Sequence, residues 1–393
     1  MPKRNHFLQD PKQALALIGK IIGGRKTAPE KKRTNLFRRI DRLIDEQLLD
    51  TLNEAGLEEE ELAFSERLRL LSDKIEQLGK FELLEHKAII GVGGQFSAGK
   101  STFINSLIGK EPVLPQNISV TTSISTYIIC GKKDQNSAYT TNHQFIKLAD
   151  EEYKALTHEF TETYVGFSRF VDNIILERHD FSDNIVAASD TDRNGGDWWK
   201  HVALLDTPGY NKARDGQQER FTDRKQAAEQ LENVDFLIWL LSVENGDLSE
   251  SDMDFLFESL GSKLSECPER VLVVINKAKK KSDTAMKEIL EQVEETLRNA
   301  GISEKCLVTA YDSIAREERF GKTHIIDFLK KAASLGRNKK DLKDELQEIQ
   351  KDIQKCLDER LKYEMSREKN YTEPLWKQNF RNMRVLWWIL IIW

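Results

Sequence analysis

The chain has 393 residues, 39% of them apolar and 32% charged, with a formal net charge of -6 at pH 7. That length holds two or three domains and a sizeable core, and so high a charge content excludes a multi-span membrane bundle. Four scattered cysteines (Cys130, Cys267, Cys306 and Cys356) have no metal-ligand spacing, which excludes a disulfide scaffold and suits a reducing compartment.

Residues 1–39 carry eleven Lys and Arg against two acids, whereas 58–61 is a run of four acids. Residues 1–34 therefore read as a basic arm, suited to an anionic surface of lipid or nucleic acid or simply solvated, with one short helix at 11–22 before the breakers Gly23, Gly24 and Pro29. No long apolar run marks a secretory signal. Residues 35–85 contain no proline, and Leu36, Ile40, Leu43, Ile44 and Leu48, then Leu62, Leu68, Leu71, Ile75 and Leu78, recur at helical spacing. They predict an amphipathic helical pair broken near Gly56, which needs a partner for its apolar face.

Residues 86–333 alternate apolar strands with amphipathic helices. Strands are predicted at 88–92, 123–129, 202–205, 235–243, 271–275 and 306–309, and a helical segment at 150–170, followed by a polar loop at 190–197. Such alternation implies an α/β domain with a mainly parallel sheet covered on both faces. Residues 334–393 return to helix: Leu342, Leu346, Ile349, Ile353 and Cys356 are spaced by four and three residues, and Leu357 and Leu361 continue the stripe towards about residue 370. That pattern suits a coiled coil or bundle. The terminal run 385–393 is apolar and Trp-rich behind Arg381 and Arg384, which suits a membrane interface, but it falls well short of the roughly 20 residues that span a bilayer.

The chain's chemistry concentrates after the first strand. Gly94, Gly99, Lys100 and Ser101 fill the pattern G-x-x-x-x-G-K-[ST], placed between a strand and an amphipathic helix as a phosphate-binding loop requires. Glycines let backbone N–H groups curl around phosphate oxygens, and the helix N-terminus adds the positive end of its dipole. Lys100 would reach the β- and γ-phosphates and Ser101 would hold Mg²⁺. The cradle runs from Gly94 through Gln95, Phe96, Ser97, Ala98 and Gly99 to Lys100, Ser101 and Thr102. Three later elements narrow the nucleotide class. Asp206-Thr-Pro-Gly209 follows a strand, where Asp206 can hold Mg²⁺ through water and the Gly209 N–H can meet a γ-phosphate. Thr122, in preference to Thr121, can coordinate Mg²⁺ and orient the attacking water through its carbonyl. Asn276-Lys277 follows another strand and can hold a purine, Asn276 at N7 and Lys277 with its stem on the ring. The paired Trp198 and Trp199 read as packing residues, and the seven dispersed histidines offer no ligand set.

Taken together, Gln95-Phe-Ser-Ala-Gly-Lys-Ser-Thr102, Leu114-Pro115 with Thr122, Leu205-Asp-Thr-Pro-Gly209 and Val274-Ile-Asn-Lys277 resemble the dynamin superfamily, most closely its bacterial dynamin-like members, over residues 86–333. The resemblance implies a P-loop GTPase domain flanked by a partial helical bundle from both sides. It implies GTP and Mg²⁺ as ligands, with a monovalent cation in some members, and Ser97 positioning the attacking water. It also implies a homodimer through the GTPase domains, and cytoplasmic residence at the inner face of a membrane that such proteins remodel. Tyr210 stands where many regulatory GTPases have Gln, which fits a family that places its water by the loop and by domain pairing. One position departs from the family: the base motif, Asn/Thr-Lys-x-Asp, here ends in Lys279, which removes the carboxylate that reads guanine, with Asp283 the nearest substitute in sequence. Two other readings stay open at this stage: a soluble nucleotide-dependent switch with a protein or nucleic-acid partner, and a non-hydrolysing nucleotide-binding protein with degenerate base specificity.

Overall fold

The computed structural model describes residues 5–24, 82–84, 86–95, 98–108, 112–115, 124–141, 144–164, 166–179, 198–207, 234–244, 267–302, 305–321, 325–339 and 342–367, with the single positions 50, 54, 231 and 256. The chain divides into two compact units, Met1–Gly24 with His86–Asn338, and Arg25–Glu85 with Lys339–Trp393.

The first unit is built on one sheet of ten strands: β1 (Ala88–Gly94), β2 (Thr126–Cys130), β3 (Gln135–Thr140), β4 (Phe145–Leu148), β5 (Val171–Arg178), β6 (Val202–Asp206), β7 (Phe236–Ser242), β8 (Val271–Asn276), β9 (Leu307–Asp312) and β10 (Glu317–Gly321). Their spatial order is β10-β9-β8-β7-β1-β6-β2-β5-β3-β4. The run β9-β8-β7-β1-β6 is parallel throughout. β2 is antiparallel to β6 and parallel to β5, and the antiparallel pairs β3–β4 and β9–β10 form the two edges.

The central strands are apolar at successive positions because both faces are covered. In β7, Phe236, Ile238 and Leu240 enter one core while Leu237, Trp239 and Leu241 enter the other. The first core takes Phe103, Ile104 and Leu107 from α3 and Phe328, Leu329 and Ala332 from α7. The second takes Met286, Val293 and Leu297 from α6. These helices span Lys100–Ile108 (α3), Asp283–Asn299 (α6) and Ile325–Arg337 (α7). Ser282 caps α6 by accepting from the Ala285 N–H.

The segment read as a basic arm contains two helices docked on the first unit, α1 (His6–Gln9) and α2 (Pro11–Ile22). Asp10 caps α2 through the Lys12 and Gln13 N–H groups, Pro11 occupies its first turn, and Gly23 closes it with a 2.8 Å bond to the Gly19 carbonyl. Its buried face is Ala14, Leu17 and Ile21. Asn5 Nδ2 donates to the Ala155 carbonyl at 2.9 Å, and Lys20 pairs with Glu152.

Between β4 and β5 the single predicted helical segment is two short helices, α4 (Asp150–Ala155) and α5 (His158–Thr163), then a 3₁₀ turn, Phe167–Phe170. Strands β3, β4, β5 and β10 have no counterpart among the predicted ones. In the second unit, α8 (Leu342–Arg367) occupies the stretch whose apolar spacing predicts a long helix. Most of the predicted pair at 35–85, the loop 190–197 and the apolar run 385–393 lie outside the described residues. Among those described, no helix is long and apolar enough to cross a membrane.

Candidate nucleotide site

The site lies at the carboxyl ends of the parallel strands, where open α/β sheets bind ligands. β1 ends on Gly94 at φ +138°, and a side chain there would meet the Leu240 carbonyl oxygen at 2.4 Å. Gly99, at φ +88°, faces the Asn276 amide, which a Cβ would meet at 2.7 Å. Only glycine satisfies both backbone and space at these two positions.

α3 then opens on Lys100, which is buried. Its ammonium donates to the Gly94 carbonyl at 3.0 Å and the Gln95 carbonyl at 3.4 Å, so it lies across the mouth of the loop. Burial lowers its pKa to about 8, with the nearby Asp206 charge opposing the shift. Ser101 Oγ donates to Asp206 Oδ2 at 2.9 Å, and Asp206, the last residue of β6, is wholly buried. Thr207 next to it is anchored by a 3.0 Å bond to the Val92 carbonyl. A hydroxyl and a carboxylate beside a helix N-terminus form an all-oxygen donor set that fits Mg²⁺.

Asn276 ends β8 and joins three segments. Its Nδ2 donates to the Ala98 carbonyl at 3.0 Å, and its Oδ1 accepts from the Lys277 N–H at 2.8 Å and from Ser313 Oγ at 2.7 Å. Lys277 is left-handed, at φ +64°, and its ammonium meets Glu244 Oε2 at 2.6 Å. Glu244, two residues beyond β7, also pairs with Lys280. Those two lysines, Lys277 first, draw its pKa down to about 2, so the contact is lost only as the pH falls through that value and persists throughout the neutral range. Glu244→Ala removes the tether on the Lys277 ammonium. We expect KM for nucleotide to rise about two- to fivefold with kcat unchanged, read from steady-state kinetics.

The predicted residues Gly94, Gln95, Ala98, Gly99, Lys100, Ser101, Thr102, Asp206, Asn276 and Lys277 are placed by the structure, and the contacts above bring the loop, Asp206 and the base motif together. Phe96, Ser97, Thr121, Thr122 and Gly209 lie outside the described residues. Trp198 and Trp199 are buried and stacked, with centroids 4.1 Å apart, in a turn packed against α7.

Sequence reasoning missed Glu244 and the turn after β9. There Asp312 accepts from the N–H groups of Ala315 (2.9 Å), Lys279 (3.0 Å) and Ile314 (3.2 Å), and Ser313 holds Asn276. Burial pushes the Asp312 pKa up, but these N–H donors and the Lys279 charge outweigh it and the net shift is downward. The available signal was a short Asp-Ser polar turn at the carboxyl end of a parallel strand.

A strand, a glycine cradle and a helix opening on Lys-Ser, with a buried aspartate on the neighbouring strand, define a P-loop nucleotide-binding domain. The profile of the dynamin family, whose members are GTPases, matches residues 90–278, just under half of the chain and the part that carries this site. Two solved structures of an oligomerised bacterial dynamin pair, described as a mechanism for long-range sensing and tethering of membranes, are similar at 18% identity. They cover 87% of this chain with 57% and 59% of their own lengths, at TM-scores of 0.40 and 0.42. Era from Aquifex aeolicus, bound to GDP and aluminium fluoride, is similar at 14% identity over 63% of this chain and 56% of its own, at a TM-score of 0.33. The chain thus spans less than two thirds of the length of these solved proteins. No curated protein matches it.

Proposed function

We propose that this chain binds and hydrolyses GTP with Mg²⁺, and that the nucleotide state drives pairing of its GTPase domains at a membrane surface. The observation that carries the reading is the junction of Lys100, Ser101 and Asp206 at the mouth of a loop whose two glycines permit close approach of phosphate. Lys100 leaves its carbonyl partners to meet the terminal phosphates. Ser101 and Asp206 hold the metal, which when bound neutralises charge developing on the phosphoryl oxygens. Asn276 and Lys277 seat the base, with Glu244 orienting Lys277. Ser97 and Thr122 position the attacking water, and the Gly209 N–H meets the γ-phosphate; these roles follow from the family resemblance. The basic residues before position 40 and the apolar run 385–393 support the membrane part of the reading.

Phosphate release from GTP tests the first part. Light scattering with GDP and aluminium fluoride against GDP alone tests the second, with a doubling of mass expected for the former. Co-sedimentation with anionic vesicles tests the third. Hydrolysis without vesicle binding in any nucleotide state would favour a soluble switch instead.

A further inference from the structure

The structure shows what surrounds Lys279, which stands where the family has a carboxylate. The phosphates occupy the loop from Gly94 to Ser101, and Asn276 lies directly against Ala98 and Gly99. The next surface outward, where a base must rest, is the turn Ala278–Lys280 and the turn after β9. Guanine offers N–H donors here, at N1 and at its 2-amino group, so reading it needs an available acceptor.

Each described carboxylate around this shelf already has strong donors. Glu317 Oε2 holds the Lys279 ammonium at 2.8 Å. Asp283, the substitute suggested by sequence, is turned to Arg319, whose other nitrogen donates to the Ala278 carbonyl at 2.9 Å. Asp312 caps its own turn and the Lys279 N–H. Glu318 accepts from Thr309 Oγ1 at 2.7 Å and the Ile325 N–H at 3.2 Å, and Glu244 holds two lysines. The charged side chains that remain on the shelf, Lys279, Lys280 and Arg316, donate only, and the Ser313 hydroxyl gives its proton to Asn276. β10 thus supplies Glu317, which neutralises Lys279 of the altered motif, and Arg319, which occupies Asp283.

We propose that this shelf does not read the purine 2-amino group, so that guanine, hypoxanthine and xanthine nucleotides bind alike, and that the Lys279–Glu317 pair determines this. The inference rests on the nucleotide-binding reading above. Hypoxanthine lacks the amino group, and the site makes no contact with that group to lose. Xanthine carries a carbonyl there, which suits a Lys donor.

The test is competition of GDP, IDP and XDP against a fluorescent guanine diphosphate on the full chain with Mg²⁺. A site built to pair the amino group would separate GDP from IDP by far more than tenfold, up to about 10⁴; here we expect the two within about threefold and XDP at least as tight as IDP. GDP binding tenfold or more tighter than IDP overturns the proposal. Displacement by none of the three removes the nucleotide reading itself, and this inference with it. The double variant Lys279→Asp with Glu317→Ala gives position 279 an acceptor that no ion partner occupies; both native side chains are more than half exposed, so folding is preserved, and the GDP-to-IDP ratio should rise to about tenfold or more. An unchanged ratio in that variant would show that position 279 does not set base choice.

Discussion

Lys100→Ala is expected to abolish measurable GTP turnover, with kcat/KM falling by roughly 10²–10³ or more, the scale seen when a preorganised electrostatic donor is removed. The lysine is placed for this role before any ligand arrives: its ammonium spans the Gly94 and Gln95 carbonyls, inside a loop that Gly99 and Asn276 hold against the strand ends. Phosphate release gives the kinetic effect, and thermal unfolding separates it from a folding defect. Nucleotide stabilises whatever it binds by mass action, so the GDP-dependent rise in Tm should vanish in the variant while the ligand-free Tm stays close to that of the native chain.

The same residue sets a pH dependence of defined sign. Burial lowers the folded pKa of Lys100 to about 8 from the ordinary 10.5. Between those values the unfolded chain holds a proton that the fold does not, so ligand-free stability rises as the pH climbs from about 8 towards 10.5. Phosphate affinity runs the other way, because the ammonium is lost as the pH passes about 8. Opposite trends in the two quantities assign the effect to this group, and Lys100→Ala should flatten both.

What could be read from the sequence follows how local each feature is. The central strands were legible because burial on both faces leaves uninterrupted apolar runs, as in β7 and β8, where every residue is buried. The phosphate loop was legible because its working parts are contiguous. β3 was not: Gln135–Thr140 contains Asn136, Ser137 and Thr140, all buried, which reads as a loop. Its polarity is satisfied from a distance, by Arg178 on Asn136 at 2.8 Å and by the Gln144 N–H on Thr140 at 3.3 Å. β10 likewise begins Glu-Glu-Arg: Lys279 of the base motif neutralises Glu317, Asp283 of α6 neutralises Arg319, and the Thr309 hydroxyl of β9 donates to Glu318. For the same reason Glu244, Asp312 and Ser313 escaped notice. Only the order β7, β8, β9 brings the ends of three strands beside one another. The helix at 11–22 was legible, but net charge speaks for the exposed side of α2 and not for the face of Ala14, Leu17 and Ile21 that docks it.

Asn276→Ala should be the most damaging single change to the architecture of the site. One buried amide satisfies the Ala98 carbonyl, the Lys277 N–H and the Ser313 hydroxyl, and a weaker 3.2 Å bond reaches the Ser313 N–H. Truncation leaves several of these groups without partners in a place water does not reach, for a loss of about 2–4 kcal/mol, measurable by urea unfolding. Because the partners belong to the phosphate loop, the base motif and the turn after β9, all three should loosen together, and GDP affinity should fall by at least tenfold at a temperature where the variant remains folded. Asn276→Asp distinguishes the components. It retains the oxygen that accepts from Lys277 and Ser313, but it turns an oxygen towards the Ala98 carbonyl where a donor stood. Its stability loss should be smaller than that of the alanine variant if the Ser313 side dominates, and at least as large if the link to the phosphate loop does. A double-mutant cycle between Asn276→Ala and Ser313→Ala should show a coupling of about 0.5–3 kcal/mol, and additivity would mean that the two turns are held together by something other than this amide.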